Sequence, residues 1–363
     1  MNRTISALKE WLNPDWARHR TVPPFEAGLR PNRRLDESTT LLPDAEFEPD
    51  DVLIRESGAV VFSSGDSVFT LTDGVVTRLV TLGGQVGCLL VAEDRLVAAV
   101  EGVGLVTVDA SGVAADLCTD AELAACVTDL TLLPDGVVLA TIGSREVPDW
   151  SAALVTDDRS GRIVRVDGSR AEVVAEGLGW PGGIENAADG EVLVSLGFDH
   201  RIERRGVAAL SKPGTAVGPN LPVYPGRIAA TTDGWWVAAP YARNRFTELL
   251  LDEPELLREM TATIRQDQWF VPRLRCPDPY TDTLQLGQLR VHGVIKPWAP
   301  ARSYGLAFRI DQRGRIAESV HSRADSDRHG VTGVTSRDGR IVVAARGFRN
   351  LLEPRTDNER RAQ

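Results

Sequence analysis

One short pattern recurs along the chain and restricts its fold more than any other feature. Residues 128–141 read T-D-L-T-L-L-P-D-G-V-V-L-A-T, two β-rich runs joined by an Asp-Gly turn. Near copies begin at Asp50 (D-D-V-L-I-R-E-S-G-A-V-V-F-S), Gly179 (G-W-P-G-G-I-E-N-A-A-D-G-E-V-L-V-S-L), Gly226 (G-R-I-A-A-T-T-D-G-W-W-V-A-A) and Thr332 (T-G-V-T-S-R-D-G-R-I-V-V-A-A). A weaker copy starts at Gly87. The turns Ser57-Gly58, Asp135-Gly136, Asp189-Gly190, Asp233-Gly234 and Asp338-Gly339 supply the positive φ angles that tight hairpins demand.

Between the hairpins lie second motifs such as S-V-F-T-L-T-D-G, G-R-I-V-R-V-D-G and L-A-F-R-I-D-Q-R-G-R-I, which read as outer strands. Two hairpins per unit make a four-stranded sheet. Six such units, at a spacing of roughly 40–50 residues, predict an all-β, six-bladed β-propeller. Its expected span is 46–350. The long interval before the last hairpin predicts a helical and loop insertion over 246–300, between blades 5 and 6, with a helix broken at Pro254. An insertion of that length on a closed scaffold suggests a lid. Residues 1–45 read as an N-terminal extension carrying a short amphipathic helix, T-I-S-A-L-K-E-W-L-N-P, expected to pack across the propeller. Residues 351–363 read as a polar tail.

A formal charge of −10 argues against a nucleic-acid surface, which needs a basic face for phosphates. No window approaches the ~18 consecutive apolar residues of a membrane span. No apolar run follows a basic start, so no signal peptide is expected. Four cysteines, Cys88, Cys118, Cys126 and Cys276, lack metal-type C-x-x-C spacing and are too few for a disulfide scaffold. Reduced thiols in a cytoplasmic protein are the expectation.

The order of P-D-D-V at Pro49, T-D-L at Thr128, S-G-R-I-V-R-V at Ser160, G-L-G-W-P-G-G-I at Gly177, Y-P-G-R-I at Tyr224 and Y-G-L-A-F-R-I-D at Tyr304 resembles the senescence-marker-protein/gluconolactonase superfamily. The likeness is nearest its strictosidine-synthase-like branch. It implies six blades and a small-molecule enzyme. Enzymes of that superfamily hold a divalent ion at the channel mouth through oxygen ligands. The family's fourth-blade Asn corresponds to Gly182 in Pro181-Gly182-Gly183. Its fifth-blade Pro-Asp-Asn corresponds to Pro225-Gly226-Arg227, and its third-blade Asn-Asp pair to Thr128-Asp129. The resemblance therefore implies a metal seat without its usual ligands, and no metal or cofactor is expected. The branch's synthase glutamate corresponds to Thr332, which cannot act as a general acid or base at neutral pH.

The ionisable residues expected at the channel mouth are Asp50, Asp51, Asp129 and Arg227. Asp129, Asp50 and His329 are candidate catalytic residues, His329 because histidine shuttles protons near neutral pH. Arg227, Tyr241, Arg243, Arg302 and Tyr304 are candidate substrate-binding residues, an aromatic and cationic wall for an anionic ligand. Two other readings stay open: Asp129 pairing with Arg227 or capping strand amides, and the Tyr241–Arg243 and Arg302–Tyr304 pairs forming a socket for the insertion. The expected function is a metal-independent hydrolase of lactones or esters, or a lyase or isomerase, acting on a small molecule at the channel mouth. The alternative is a non-catalytic propeller that binds a ligand or a protein. The oligomeric state is not read from the sequence.

Overall fold

The computed structural model describes residues 22–25, 28–43, 46–92, 95–188, 190–276, 290–291, 294–295 and 303–355. The helix expected near residues 4–14, Asp189, the segment 296–300 and Arg302 lie outside them.

Six four-stranded antiparallel sheets follow one another along the chain as the blades of a propeller. Their innermost strands are Pro49–Ile54, Val86–Ala92, Val127–Leu132, Pro181–Asn186, Ile228–Thr231 and Val331–Arg337, numbered here as blades 1 to 6. Each innermost strand contacts those of the two neighbouring blades, so the ring closes. The hairpin turns place Gly58, Gly136, Gly190 and Gly339 at φ between 73° and 83°, the left-handed region in which glycine carries no steric penalty.

Strand alternation sends apolar side chains to both faces of every blade, and each blade–blade interface is filled by one buried cluster. Val61 and Val68 meet Leu89 and Leu96 between blades 1 and 2. Leu139 and Ile163 meet Ile184 and Val194 between blades 3 and 4. Trp235 and Trp236, on consecutive positions, enter opposite interfaces of blade 5, and both are buried. Burial of such side chains contributes about 1.5–3 kcal/mol each.

Residues 28–43 and 350–355 pack against or pair with the blades. Thr39–Thr40 pairs antiparallel with Glu353 and Leu352 and completes blade 6. The segment around it crosses three interfaces: before the strand Leu29 packs between blades 4 and 5 and Leu35 between 5 and 6, and after it Leu42 packs between 6 and 1. An extension and a tail were expected there, because two-residue pairing leaves no alternation to read.

Two excursions cover one end of the channel. The helix Trp150–Thr156 leaves blade 3, with Asp149 Oδ1 accepting from Ala152 N at its start. The helices Arg245–Leu251 and Pro254–Thr263 leave blade 5, whose second strand, Gly234–Ala238, resumes pairing only at Gly305–Asp311. Pro254 takes the first turn of its helix, where its missing N–H costs nothing. Leu154, Leu257, Met260, Trp269 and Phe270 bury one another between the two excursions. Among the described residues, no helix is long and apolar enough to cross a membrane.

Candidate active site at the propeller axis

Five innermost strands are irregular at the same level. Register shifts fall between Pro49 and Val52, Val86 and Leu89, Val127 and Asp129, Pro181 and Gly183, and Val331 and Gly333. A bulge inserts an unpaired residue and re-aims the backbone, and here it frees carbonyls from the ladder. Arg227, which precedes the innermost strand of blade 5, collects them. Its Nη1 donates to the carbonyls of Asp50 (2.7 Å) and Thr332 (3.0 Å). Its Nη2 donates to the carbonyl of Gly87 (2.8 Å) and to Asp50 Oδ2 (3.2 Å), and its Nε to the carbonyl of Thr128 (2.9 Å). One planar guanidinium thus ties blades 1, 2, 3 and 6 to blade 5. Burial opposes its charge, but Asp50 and then Asp51 raise its pKa above the ordinary arginine value.

Blade 4 adds no side chain here for a steric reason. A Cβ on Gly182 would lie 2.9 Å from the Pro225 carbonyl, and one on Gly183 would lie 2.3 Å from that of Gly226. The glycines let the tips of blades 4 and 5 touch, and Ser195 Oγ donates to the Gly226 carbonyl at 2.7 Å.

Asp51 and Asp129 turn away from the axis into the seams between blades. Asp51 accepts from its neighbour Val52 N and from Leu89 N of blade 2, both at 2.8 Å. Asp129 accepts from Leu130 N (3.0 Å), Ile184 N of blade 4 (2.9 Å) and Ile228 N of blade 5 (3.3 Å). Desolvation raises the pKa of both carboxyls, that of Asp129 strongly, with Asp51 adding like charge. Asp50 behaves differently. Burial alone would raise its pKa, but Arg227 on Oδ2 and Arg346 on Oδ1 (3.3 Å) lower it.

Above this hub lies a cavity of about 570 Å³ to which all six blades and both excursions contribute. Asp50, Arg227, Thr332 and Arg346 line its axial end, and Trp150, Trp180 and Tyr241 its wall. Trp150 stacks on Tyr241 with centroids 3.7 Å apart. Desolvation raises the pKa of the Tyr241 hydroxyl, which therefore keeps its proton, and burial lifts the Cys126 thiol to about 11. Cys126 and Trp180 both line the cavity with left-handed backbones, at φ 56° and 49°, a strained state for side chains of their size.

The residues singled out from the sequence do not converge on one point. Asp50, Arg227 and Tyr241 meet at the cavity; Asp129 bonds to strand amides. His329 is buried in blade 6, with Nδ1 2.8 Å from Ser303 Oγ and Nε2 2.8 Å from the Arg323 carbonyl. Desolvation lowers its pKa. Arg243 is buried against Glu248 of the helix Arg245–Leu251 (3.1 Å), which also accepts from the Tyr224 hydroxyl (2.7 Å), so it anchors that excursion. Tyr304 is buried too, stacked on Phe25 and 3.1 Å from His321 Nδ1. Arg346 and Trp150 were not anticipated. Arg346 follows the last hairpin in A-A-R-G-F, where a solvated turn residue is the ordinary expectation.

No protein-family model and no curated protein matches the sequence. Solved structures do match. Regucalcin from Agrobacterium tumefaciens, a calcium-binding protein, superposes with a TM-score of 0.53 at 13% identity, covering 90% of this chain and 94% of that one. A gluconolactonase from Xanthomonas campestris gives 0.52 at 14% identity, covering 88% and 91%. A streptogramin B lyase gives 0.50 at 12% identity, covering 88% and 97%. At such identities the likeness establishes the fold alone: regucalcin and the gluconolactonase are six-bladed propellers, and this chain is a six-bladed propeller of the same architecture.

Proposed function

We propose that the axial cavity is the active site of a small-molecule hydrolase or lyase that works without a bound metal. The observation that carries this reading is the concave cavity at the axis, which Asp50, Arg346 and Tyr241 line together with Trp150 of the first excursion. Convergent polar groups in a concave, largely preformed site are what small-molecule chemistry requires. The gluconolactonase and lyase neighbours support the reaction classes.

The residues at the axis do not suit a divalent cation. The carbonyls that could ligate one accept from Arg227, Asp50 is shared by two guanidinium groups, and the blade 4 tip is glycine. We read this as the superfamily's metal seat refilled by a guanidinium. Thr332, at the synthase glutamate position, donates its hydroxyl to the Asp50 carbonyl at 2.7 Å, so the amine–aldehyde condensation is not part of the proposal. In the reaction, the Tyr241 hydroxyl and Arg346 hold the substrate in place beside the axis by hydrogen bonds.

A second reading, a non-catalytic ligand-binding propeller, is favoured by one observation. Asp50 is lowered, while Tyr241 and Cys126 are raised, so each is moved away from the neutral range in which general bases work best. A turnover screen over lactones and esters separates the two. The enzyme reading expects activity that falls about 10²-fold or more in Tyr241→Phe. No turnover, or equal turnover in that variant, contradicts it.

A further inference from the structure

Resting on the cavity being the functional site, we infer that its ligand carries a carboxylate, bound beside the axis by Arg346 and the Tyr241 hydroxyl. The two arginines at Asp50 are not equivalent. Arg227 spends all three of its nitrogens on backbone carbonyls and Asp50, and its side chain is 12% exposed. Arg346 is 30% exposed, and among the described residues its guanidinium makes one hydrogen bond, from Nη1 to Asp50 Oδ1. Its Nε and Nη2 donors are left for the cavity. The Tyr241 hydroxyl also makes no hydrogen bond among the described residues, and it lies within the field of Arg346.

Asp50 engages Arg346 through one nitrogen, at 3.3 Å, and so tethers the fork beside the axis. A fork with spare N–H groups matches a carboxylate in two-point contact, which a lysine ammonium cannot do. The remaining acids of the lining are differently placed. Glu101 sits on an exposed turn, and Asp149 Oδ1 accepts from Ala152 N, Ser151 Oγ and Gln266 Nε2. The Trp150–Tyr241 stack and Trp180 add aromatic surface beside the anion position, so the body of the ligand is flat or apolar.

Benzoate and its neutral counterpart benzamide are suitable probes, followed by titration calorimetry on the wild type, Arg346→Gln and Tyr241→Phe. Benzoate is expected to bind about 10- to 100-fold tighter than benzamide, the range given by a charge-assisted hydrogen bond. Arg346→Gln is expected to abolish that preference, and Tyr241→Phe, which keeps the aromatic stack, to reduce it several-fold. Equal binding of both probes, binding of neither, or an undiminished preference in Arg346→Gln overturns the assignment. Benzoate binding without turnover of any lactone or ester leaves the carboxylate site standing and removes the catalytic reading. Turnover of neutral lactones by a wild-type protein that binds benzoate no more tightly than benzamide leaves catalysis standing and removes the carboxylate site.

Discussion

At the scale of single residues, Arg227 sets the chemistry of the axis, because one side chain satisfies acceptors from four blades besides its own. Arg227→Met takes the guanidinium from the carbonyls of Gly87, Thr128 and Thr332 and leaves the Asp50 carboxylate with Arg346 alone, and a loss of about 3–5 kcal/mol in urea unfolding is expected, the cost of breaking a buried pair from one side. Arg227→Lys recovers only part of it, since an ammonium lacks the planar fork. Asp50 gives a pH prediction with a definite sign. Its folded pKa is lowered, so its contribution is present above the unfolded value of about 3.9 and lost as pH falls through the lower folded value. The gap in urea midpoint between wild type and Asp50→Asn should be full at neutral pH and close in strong acid. A constant gap contradicts the Asp50 pairing. Pro225-Gly226-Arg227 was legible in the sequence as a cation at a blade tip. Nothing local distinguishes Arg346, whose place at the cavity comes from blade 6 lying beside blade 5.

At the scale of elements, the hairpins were legible because Asp-Gly turns and alternation are local signals. The bulges were not, since the extra residue in five of the innermost strands is set by the approach of neighbouring blades. Asp51 and Asp129 show the same limit. Each reads as an ionisable tip residue, yet each bonds backbone N–H groups of its own and a neighbouring blade. Asp129→Ala is expected to cost roughly 2–4 kcal/mol through the orphaned amides of Leu130 and Ile184, with urea unfolding as the check. The cover over the cavity depends on close approach as well. A Cβ on Gly347 would lie 2.1 Å from the Leu274 carbonyl, and one on Gly330, at φ 69°, would lie 2.5 Å from it. Gly347→Ala should displace the segment around Leu274 and speed its cleavage in limited proteolysis. Unchanged cleavage would mean that the segment does not rest on blade 6.

At the scale of the whole molecule, six blades were legible from the repeat, whereas the closure was not. Two threonines at 39–40 carry no strand signature of their own. They pair because Leu29 and Leu35 carry the chain across two interfaces to blade 6, and Leu42 fixes it in a third beyond them. Deleting residues 1–43 removes those leucines, worth roughly 5–9 kcal/mol together, which is comparable to the whole stability of a typical fold. A sharp drop in the urea midpoint is expected, and an unaffected midpoint would show that the ring closes without that strand.

The central claim concerns what occupies the axis, and a crystal structure of the wild-type protein grown in millimolar calcium chloride tests it most directly. The guanidinium of Arg227 should sit at the centre, bonded to the carbonyls of Gly87, Thr128 and Thr332, with no ion among them. A calcium ion coordinated at that point, with Arg227 swung aside, would contradict the account.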